Sequence, residues 1–186
     1  MRRISPWFYA IVAGFIIISL RLIGRDFYSD ELVTLDNYLF CPLGDVVCRY
    51  IDGNGLNNHP LFSLVANLYL KIIGVDSIRT VLDHPAILRA PMLLFPVATI
   101  YLVYRLGGVL AALLLVTTIP FYYYGPAIRG YSLSMMLYMV FITGIAERRH
   151  ILTAASAALF CYVMPSNAVF VIATIPWIVW RTQCLN

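Results

Sequence analysis

The stretch PWFYAIVAGFIIISLRLIGRDFYSDELVTLDNYLF, residues Pro6 to Phe40, decides the fold because it joins a long apolar run to an acidic segment. The run Pro6–Ile23 is close to the ~20 residues that a helix needs to cross a bilayer. Arginines flank it on both sides, and no small-residue cleavage site follows it. This pattern predicts a retained signal anchor with a cytoplasmic N-terminus, which puts the acidic segment outside.

The composition of the whole chain is that of a membrane protein. Of its 186 residues, 61% are hydrophobic and 12% are charged, and the mean hydropathy is +0.83. A chain this apolar cannot hide its apolar surface in one aqueous core, which predicts a polytopic membrane protein. The net charge of +4 does not indicate a nucleic-acid partner, because most basic residues stand at the ends of apolar runs, where they orient helices.

The segment Pro60–Gly74 decides the topology, because it either crosses the membrane or lies on its surface. It is shorter than the shortest usual span of about 17 residues, and its polar residues Ser63, Asn67 and Lys71 fall on one side of a helix. We therefore predict an amphipathic interfacial helix. An interfacial helix also satisfies the positive-inside rule. Four later arginines then lie on the same side of the membrane as Arg2 and Arg3: Arg105, Arg148, Arg149 and Arg181.

The sequence thus predicts an all-α polytopic membrane helix bundle that forms a single transmembrane module over residues 1–186. Residues 24–87 form an extracytoplasmic loop with two interfacial helices, the first beginning near Asp30 behind a Ser29 cap. Both termini are cytoplasmic, and a bacterial inner membrane is the expected location. About six helices should span the bilayer: Pro6–Ile23, Leu88–Tyr104, Gly107–Tyr124, Tyr131–Ala146, Ile151–Met164 and Ala168–Trp180.

Two features of the outer side leave alternatives open. Cys41 and Cys48 share the long loop, where an oxidising compartment permits a disulfide, and the sequence does not decide whether it forms. Arg89 and Arg129 stand at outer ends of predicted spans, where a cation opposes the orientation rule. Either lipid headgroups or an anionic ligand such as a phosphate, held by guanidinium groups, explains these two arginines.

Four segments, in this order, resemble a known family: FYSDELVTL (27–35), NNHPLFSLVANLYLKIIG (57–74), LRAPMLLFPVATIYLVYRLGG (88–108) and LAALLLVTTIPFYYYGPAIRGYSLSMML (110–137). The ordered set of Asp-Glu, His-Pro, Arg-x-Pro and Arg-Gly-Tyr resembles the N-terminal module of the GT-C superfamily of polytopic glycosyltransferases. The most similar branch contains the protein O-mannosyltransferases and the bacterial lipid A aminoarabinose transferases. The resemblance covers roughly residues 7–165 and implies the same topology as the charge rule.

The resemblance implies an inverting glycosyltransferase that takes a sugar from a polyprenyl-phosphate donor and transfers it to an acceptor on the extracytoplasmic face. The family's first-loop acidic motif carries the catalytic acid/base residue, which falls here on Asp30, with Glu31 beside it. A carboxylate near a low-dielectric surface has its charged form disfavoured, which suits a general base. The alternative is that both acids only complement the dipole of the helix they begin.

The resemblance also implies residues around the donor phosphate. Arg129 matches the arginine of the family's second loop, and His59 occupies the position where relatives place a polar residue near the phosphate or a metal. Arg89 and Lys71 complete the predicted donor-phosphate set. A divalent metal ion is a candidate cofactor, with Asp30, Glu31 and His59 as its ligands; an ordinary loop histidine is the alternative for His59.

The chain departs from the family in two respects. Many relatives carry an acid two positions before the second-loop arginine, where this chain has Ala127, and no Asp or Glu occurs between Leu110 and Glu147. Family members also usually run to several hundred residues and have more spans.

Three functions remain possible from the sequence. The first is the glycosyltransferase, and the second is a non-catalytic GT-C-like subunit that binds lipid or scaffolds a membrane complex with a partner subunit. The third is a transporter or flippase, for which the spans offer few polar groups near the bilayer midplane. Membrane lipids are expected partners in all three.

Overall fold

The computed structural model describes residues 4–51 and 59–183, with side chains for 4–48 and 59–180. All regular structure in these ranges is helical, as the sequence predicts. The predicted residues Arg2, Arg3 and Arg181 lie outside the described side chains. The helices are α1 Pro6–Ile23, α2 Ser29–Thr34, α3 Leu43–Ile51, α4 Pro60–Ile72, α5 Ile78–Asp83, α6 Ala86–Met92, α7 Leu94–Val116, α8 Ile119–Tyr124, α9 Tyr131–Ala146, α10 His150–Val163 and α11 Ala168–Gln183.

Two short turns of other helix types connect these elements. A π-helical turn, Leu35–Leu39, continues α2, and a 3₁₀ turn, Pro165–Asn167, separates α10 from α11. Helix α1 has the predicted bounds: the Ser5 side chain accepts a hydrogen bond from the Trp7 amide at 3.3 Å, and Pro6 occupies the first turn, where its missing N–H costs nothing.

Two stretches are long and apolar enough to cross a membrane: Pro6–Ile23 and the combined α6–α7 stretch Ala86–Val116. The other apolar helices are shorter, at 10 to 17 residues: Pro60–Ile72, Tyr131–Ala146, His150–Val163 and Pro165–Trp180. The all-helical architecture is therefore confirmed, whereas a bundle of six spans is not.

Helix α7 is interrupted at Gly108, whose φ of 76° and ψ of −168° lie outside the helical region. Before the break, the Tyr104 hydroxyl accepts a hydrogen bond from the Ser5 amide at 2.9 Å, at the start of α1. After the break, Phe121 packs on Phe15 with ring centroids 5.3 Å apart, farther along α1. The chain therefore reverses direction at Gly108, one residue from the predicted boundary between the second and third spans.

The same reversal separates two ends of the bundle. We call the end that holds the C-terminus of α1 the loop end, and the end that holds Ser5 the N-terminal end. Helix α9 runs from the loop end to the N-terminal end, because Arg105, which follows Tyr104, bonds Glu147 at 2.7 Å. Helix α10 returns, since Val163 lies beside Gly130 at the loop end.

Helix α4 turns part of its polar side toward the protein. Ser63 and Asn67 are buried, while Leu68 and Ile72 are 48% and 74% exposed. Asn67 donates to the carbonyls of Tyr38 and Cys41, each at 2.9 Å, at the end of the π-helical turn. Ser63 and Asn67 therefore face the protein, where the Asn67 amide satisfies backbone acceptors, while Leu68 and Ile72 face outward.

The core has two parts. One surrounds α4, where Phe62, Ala66 and Leu70 are fully buried against α9 and α10. The other lies between α1 and α7 and includes Phe15 and Ile100. The thiols of Cys41 and Cys48 are both free, so the disulfide left open by the sequence is absent.

We expect Asn67→Ala to lower the free energy of unfolding by about 1–3 kcal/mol, because the Tyr38 and Cys41 carbonyls each lose the hydrogen bond from its amide. Thermal unfolding of the purified protein in one detergent measures this loss. Leu68→Ala, at the exposed neighbouring position, should change the midpoint much less. Equal effects of the two substitutions would show that the hydrogen bonds of the Asn67 amide add nothing to stability beyond the packing of the side chain.

Candidate functional site

The site lies at the loop end, where Asp30 stands in the first turn of α2. The helix begins at Ser29, and Tyr28 takes the N-cap position that the sequence assigned to Ser29. The Glu31 carboxylate accepts a hydrogen bond from the Tyr28 amide at 3.0 Å, which caps the helix. Glu31 consequently points inward, and the Asp30 side chain is left 68% exposed.

Asp30 forms an ion pair with Arg129, although the two residues are 99 positions apart in the chain. The Arg129 side chain is 16% exposed, and its guanidinium carbon lies 5.4 Å from the centroid of the Tyr131 ring. Within the described residues, its buried Nε has no hydrogen-bond partner. Arg129 thus keeps donor capacity beside an exposed carboxylate.

His59 lies against the same loop and is almost fully buried, with 1% of its surface exposed. Its ring meets Tyr131 edge-on at 5.0 Å, and a Cβ on Gly130 would come within 2.7 Å of its Nδ1. Only glycine fits at that position without displacing the imidazole. Burial, reinforced by Arg129 and opposed by Asp30, lowers the pKa of His59 to about 4. The imidazole is therefore neutral at physiological pH.

Glu31 and Arg89 form a second, buried ion pair with an N–O distance of 2.7 Å and side chains 1% and 3% exposed. Arg89 also donates to carbonyls that follow from the end of α1: Leu22, Ile23, Arg25 and Asp26. Its guanidinium lies 4.6 Å from the Phe27 ring centroid. Both oxygens of Glu31 and both terminal nitrogens of Arg89 bind protein groups. The structure therefore gives both residues a role in the fold, away from the exposed site.

Lys71 is not brought to the site. It lies at the other end of α4 from His59, about 18 Å along the helix axis, and donates to the Cys41 carbonyl at 3.1 Å. Of the predicted donor-phosphate residues, the structure places Arg129 and His59 together and leaves Arg89 and Lys71 elsewhere.

The predicted metal ligands do not fit a metal ion. One carboxylate oxygen of Glu31 accepts hydrogen bonds from Arg89 and the Tyr28 amide, and the other accepts one from the Ile128 amide at 2.6 Å. Asp30 is paired with Arg129. Among the described residues, no three His, Cys, Asp or Glu side chains lie close enough together to hold a metal.

Sequence reasoning missed two components of the site. The Ile128 amide, which holds the second loop onto Glu31, is a backbone donor that residue type cannot reveal. A row of tyrosine rings also edges the site, with centroids 5.6 Å apart for Tyr28–Tyr123, 5.4 Å for Tyr123–Tyr124 and 5.0 Å for Tyr124–Tyr131. The run of three tyrosines at a predicted membrane surface was the signal available for this row.

The enclosed space next to the site is small. A cavity of about 20 Å³ lies beside Glu31 and Arg89, with Tyr123 and Ala127 also in its lining. It has room for about one water molecule. This cavity is therefore too small for a sugar or a phosphate group.

No family model, curated protein or solved structure matches this chain.

We expect Glu31→Gln to destabilise the protein by about 3–5 kcal/mol, because Arg89 becomes an uncompensated buried charge. Thermal unfolding and the yield of monodisperse protein in detergent both report this loss. Asp36→Asn makes the same chemical change at an exposed position nearby and should leave both readouts unchanged. If the two variants behave alike, the buried pair does not organise the loop end.

The low pKa of His59 predicts that the folded protein loses stability as the pH falls from 6.5 to about 4. In this window the unfolded chain binds a proton on the imidazole and the folded chain does not, so the proton favours unfolding. The loss should total about 3 kcal/mol. Unfolding midpoints of His59→Gln measured over this pH range should show a correspondingly smaller slope, whereas those of His84→Gln, at an exposed position, should follow the unmodified protein.

Proposed function

We propose that this protein is a membrane glycosyltransferase that transfers a sugar from a polyprenyl-phosphate donor to an acceptor on the extracytoplasmic face. One observation carries the proposal: Asp30 and Arg129, from distant parts of the chain, meet at one exposed surface. These are the residues to which the GT-C resemblance gives the roles of base and phosphate ligand. A neutral His59 completes the arrangement.

The proposed reaction uses this chain's own groups. The acceptor hydroxyl attacks the anomeric carbon from the face opposite the phosphate, so the configuration inverts, and its proton passes to the Asp30 carboxylate. The bond from the anomeric carbon to the phosphate oxygen breaks, and its electron pair stays on the polyprenyl phosphate. Arg129 stabilises that developing charge by charge-assisted hydrogen bonds. Asp30 must leave Arg129 as the phosphate arrives.

An apolar groove supports a lipid-linked donor. Its volume is about 410 Å³, and it lies between α1 and the part of the chain that follows Gly108. Trp7 lies near one end and Tyr122 near the other, beside the tyrosine row, and nearly all of its lining is apolar. In the proposed complex, the prenyl chain occupies this groove and the phosphate reaches Arg129.

The proposal includes the six-span topology. The reversal at Gly108 and the alternating directions of α9 and α10 support it, because they return Asp30, His59 and Arg129 to one end of the bundle. With the loop end outside, the arginines at the N-terminal end lie in the cytoplasm, as the positive-inside rule requires. The short helices then depend on local thinning of the bilayer.

A non-catalytic lipid-binding subunit is the second candidate. Ala127 favours it, since no second carboxylate of the described residues faces Asp30 across the loop. In that case Asp30 and Arg129 serve as a structural pair at the surface.

We expect Asp30→Asn to abolish sugar transfer while leaving the fold intact, because the exposed carboxylate contributes little to stability. Transfer is measured with radiolabelled polyprenyl-phosphate sugars in membranes that contain the full chain. Asp36→Asn is the matched control, with the same change at an exposed position in the same loop. Arg129→Lys should retain part of the activity that Arg129→Ala loses, since the lysine still carries the charge.

Unchanged transfer by Asp30→Asn would remove Asp30 from the mechanism. Transfer that requires a co-purifying partner and tolerates both substitutions would favour the non-catalytic subunit.

A further inference from the structure

A cluster of cations lies at the N-terminal end of the bundle. Arg105 donates to one oxygen of the Glu147 carboxylate at 2.7 Å, and Arg149 Nε lies 3.0 Å from the other. Arg148 and His150 are exposed beside this pair. Within the part of the chain that the structure describes, Arg148 makes no ion pair. One carboxylate serves several guanidinium groups, so the cluster keeps an excess of positive charge.

Arg148 stands where the backbone favours glycine. Its φ is 57°, and it is the one described non-glycine residue with positive φ. The Arg149 amide donates to the Gly144 carbonyl at 2.8 Å, which ends α9 as in a Schellman motif. Glycine is the usual residue at the left-handed position of that motif because it has no Cβ. The cap accounts for the positive φ at Arg148, but the residue that adopts it is a cation at the surface and not the usual glycine.

An apolar surface adjoins these cations. Arg149 and His150 form the polar edge of an open depression of about 570 Å³, and Ile151, Leu152 and Ala155 line the rest. Ile151 is 87% exposed. A charged edge next to an apolar wall matches a molecule with an anionic head and a hydrocarbon chain.

We propose that this arginine cluster binds the phosphate of an anionic phospholipid, whose acyl chain lies along α10 over Ile151 and Ala155. Charge complementarity selects the headgroup: a zwitterionic lipid brings its own cation, which the excess guanidinium charge repels. The site is separate from the loop end, so the proposal does not rest on sugar transfer. Basic residues at membrane surfaces attract anionic lipids by this same electrostatic effect.

Native mass spectrometry of the delipidated full chain tests this proposal. Titration with phosphatidylglycerol should give tighter binding than titration with phosphatidylcholine of the same acyl composition. Arg148→Gly should raise the Kd for phosphatidylglycerol about fivefold, since one surface cation is lost. Glycine relieves the positive φ, so an unchanged or higher unfolding midpoint would show that weaker binding does not come from misfolding. Arg148→Lys should bind phosphatidylglycerol with the original affinity.

Arg79→Gln is the matched control, because Arg79 is an exposed arginine in the long loop whose side chain is 88% exposed. It should leave the Kd unchanged. Equal affinity for the two lipids, or equal weakening by Arg148→Gly and Arg79→Gln, would overturn the proposal. Binding of inorganic phosphate as tight as that of phosphatidylglycerol would overturn it too, since the acyl chain would then contribute nothing.

Discussion

The buried pair of Glu31 and Arg89 is the interaction on which the loop end depends. Two charges removed from water are costly unless nearly all their hydrogen-bonding capacity is used. Here Arg89 binds carbonyls at the C-terminus of α1, and Glu31 binds the Tyr28 amide at the start of its own helix and the Ile128 amide of a distant segment. The pair therefore joins α1, α2, α6 and the loop before α9, and all of these contacts except the Tyr28 cap connect residues far apart in sequence.

The exposed pair follows from the buried one by chain adjacency. Asp30 precedes Glu31, and Arg129 follows Ile128, whose amide Glu31 holds. Fixing Glu31 against Ile128 brings their two neighbours to the same surface, where Asp30 and Arg129 meet. The close packing of His59 on Gly130 then sets the other side of the same loop. Thus a structural carboxylate positions the residues proposed to act on a ligand.

The sequence predicts the elements of this fold better than their contacts. Pro6–Ile23 and Tyr131–Ala146 have the bounds that hydropathy and flanking charges indicate, and the reversal falls beside the predicted boundary at Gly107. Hydropathy reflects the free energy of transferring a segment from water into an apolar phase, and this free energy depends only on the residues of that segment. Whether Asp30 or Glu31 turns inward depends on Arg89 and the Ile128 amide, so no local pattern could separate the two acids. The side of α4 that faces the protein could not be predicted for the same reason, because the acceptors of Asn67 lie at the π-helical turn.

The different burial of the two ion pairs decides which one a ligand can use. An exposed pair contributes about 0–1 kcal/mol, whereas breaking a buried one costs about 3–5 kcal/mol. Asp30 is mostly in solvent, so in the proposed reaction an incoming phosphate replaces it on Arg129 at little cost, and the released carboxylate is then free to accept a proton. Arg89 cannot exchange its carboxylate partner for a phosphate in this way, because separating it from Glu31 would leave two unpaired charges in the core. A phosphate can therefore bind Arg129 more easily than Arg89, because the present partner of Arg129 is a hydrated carboxylate.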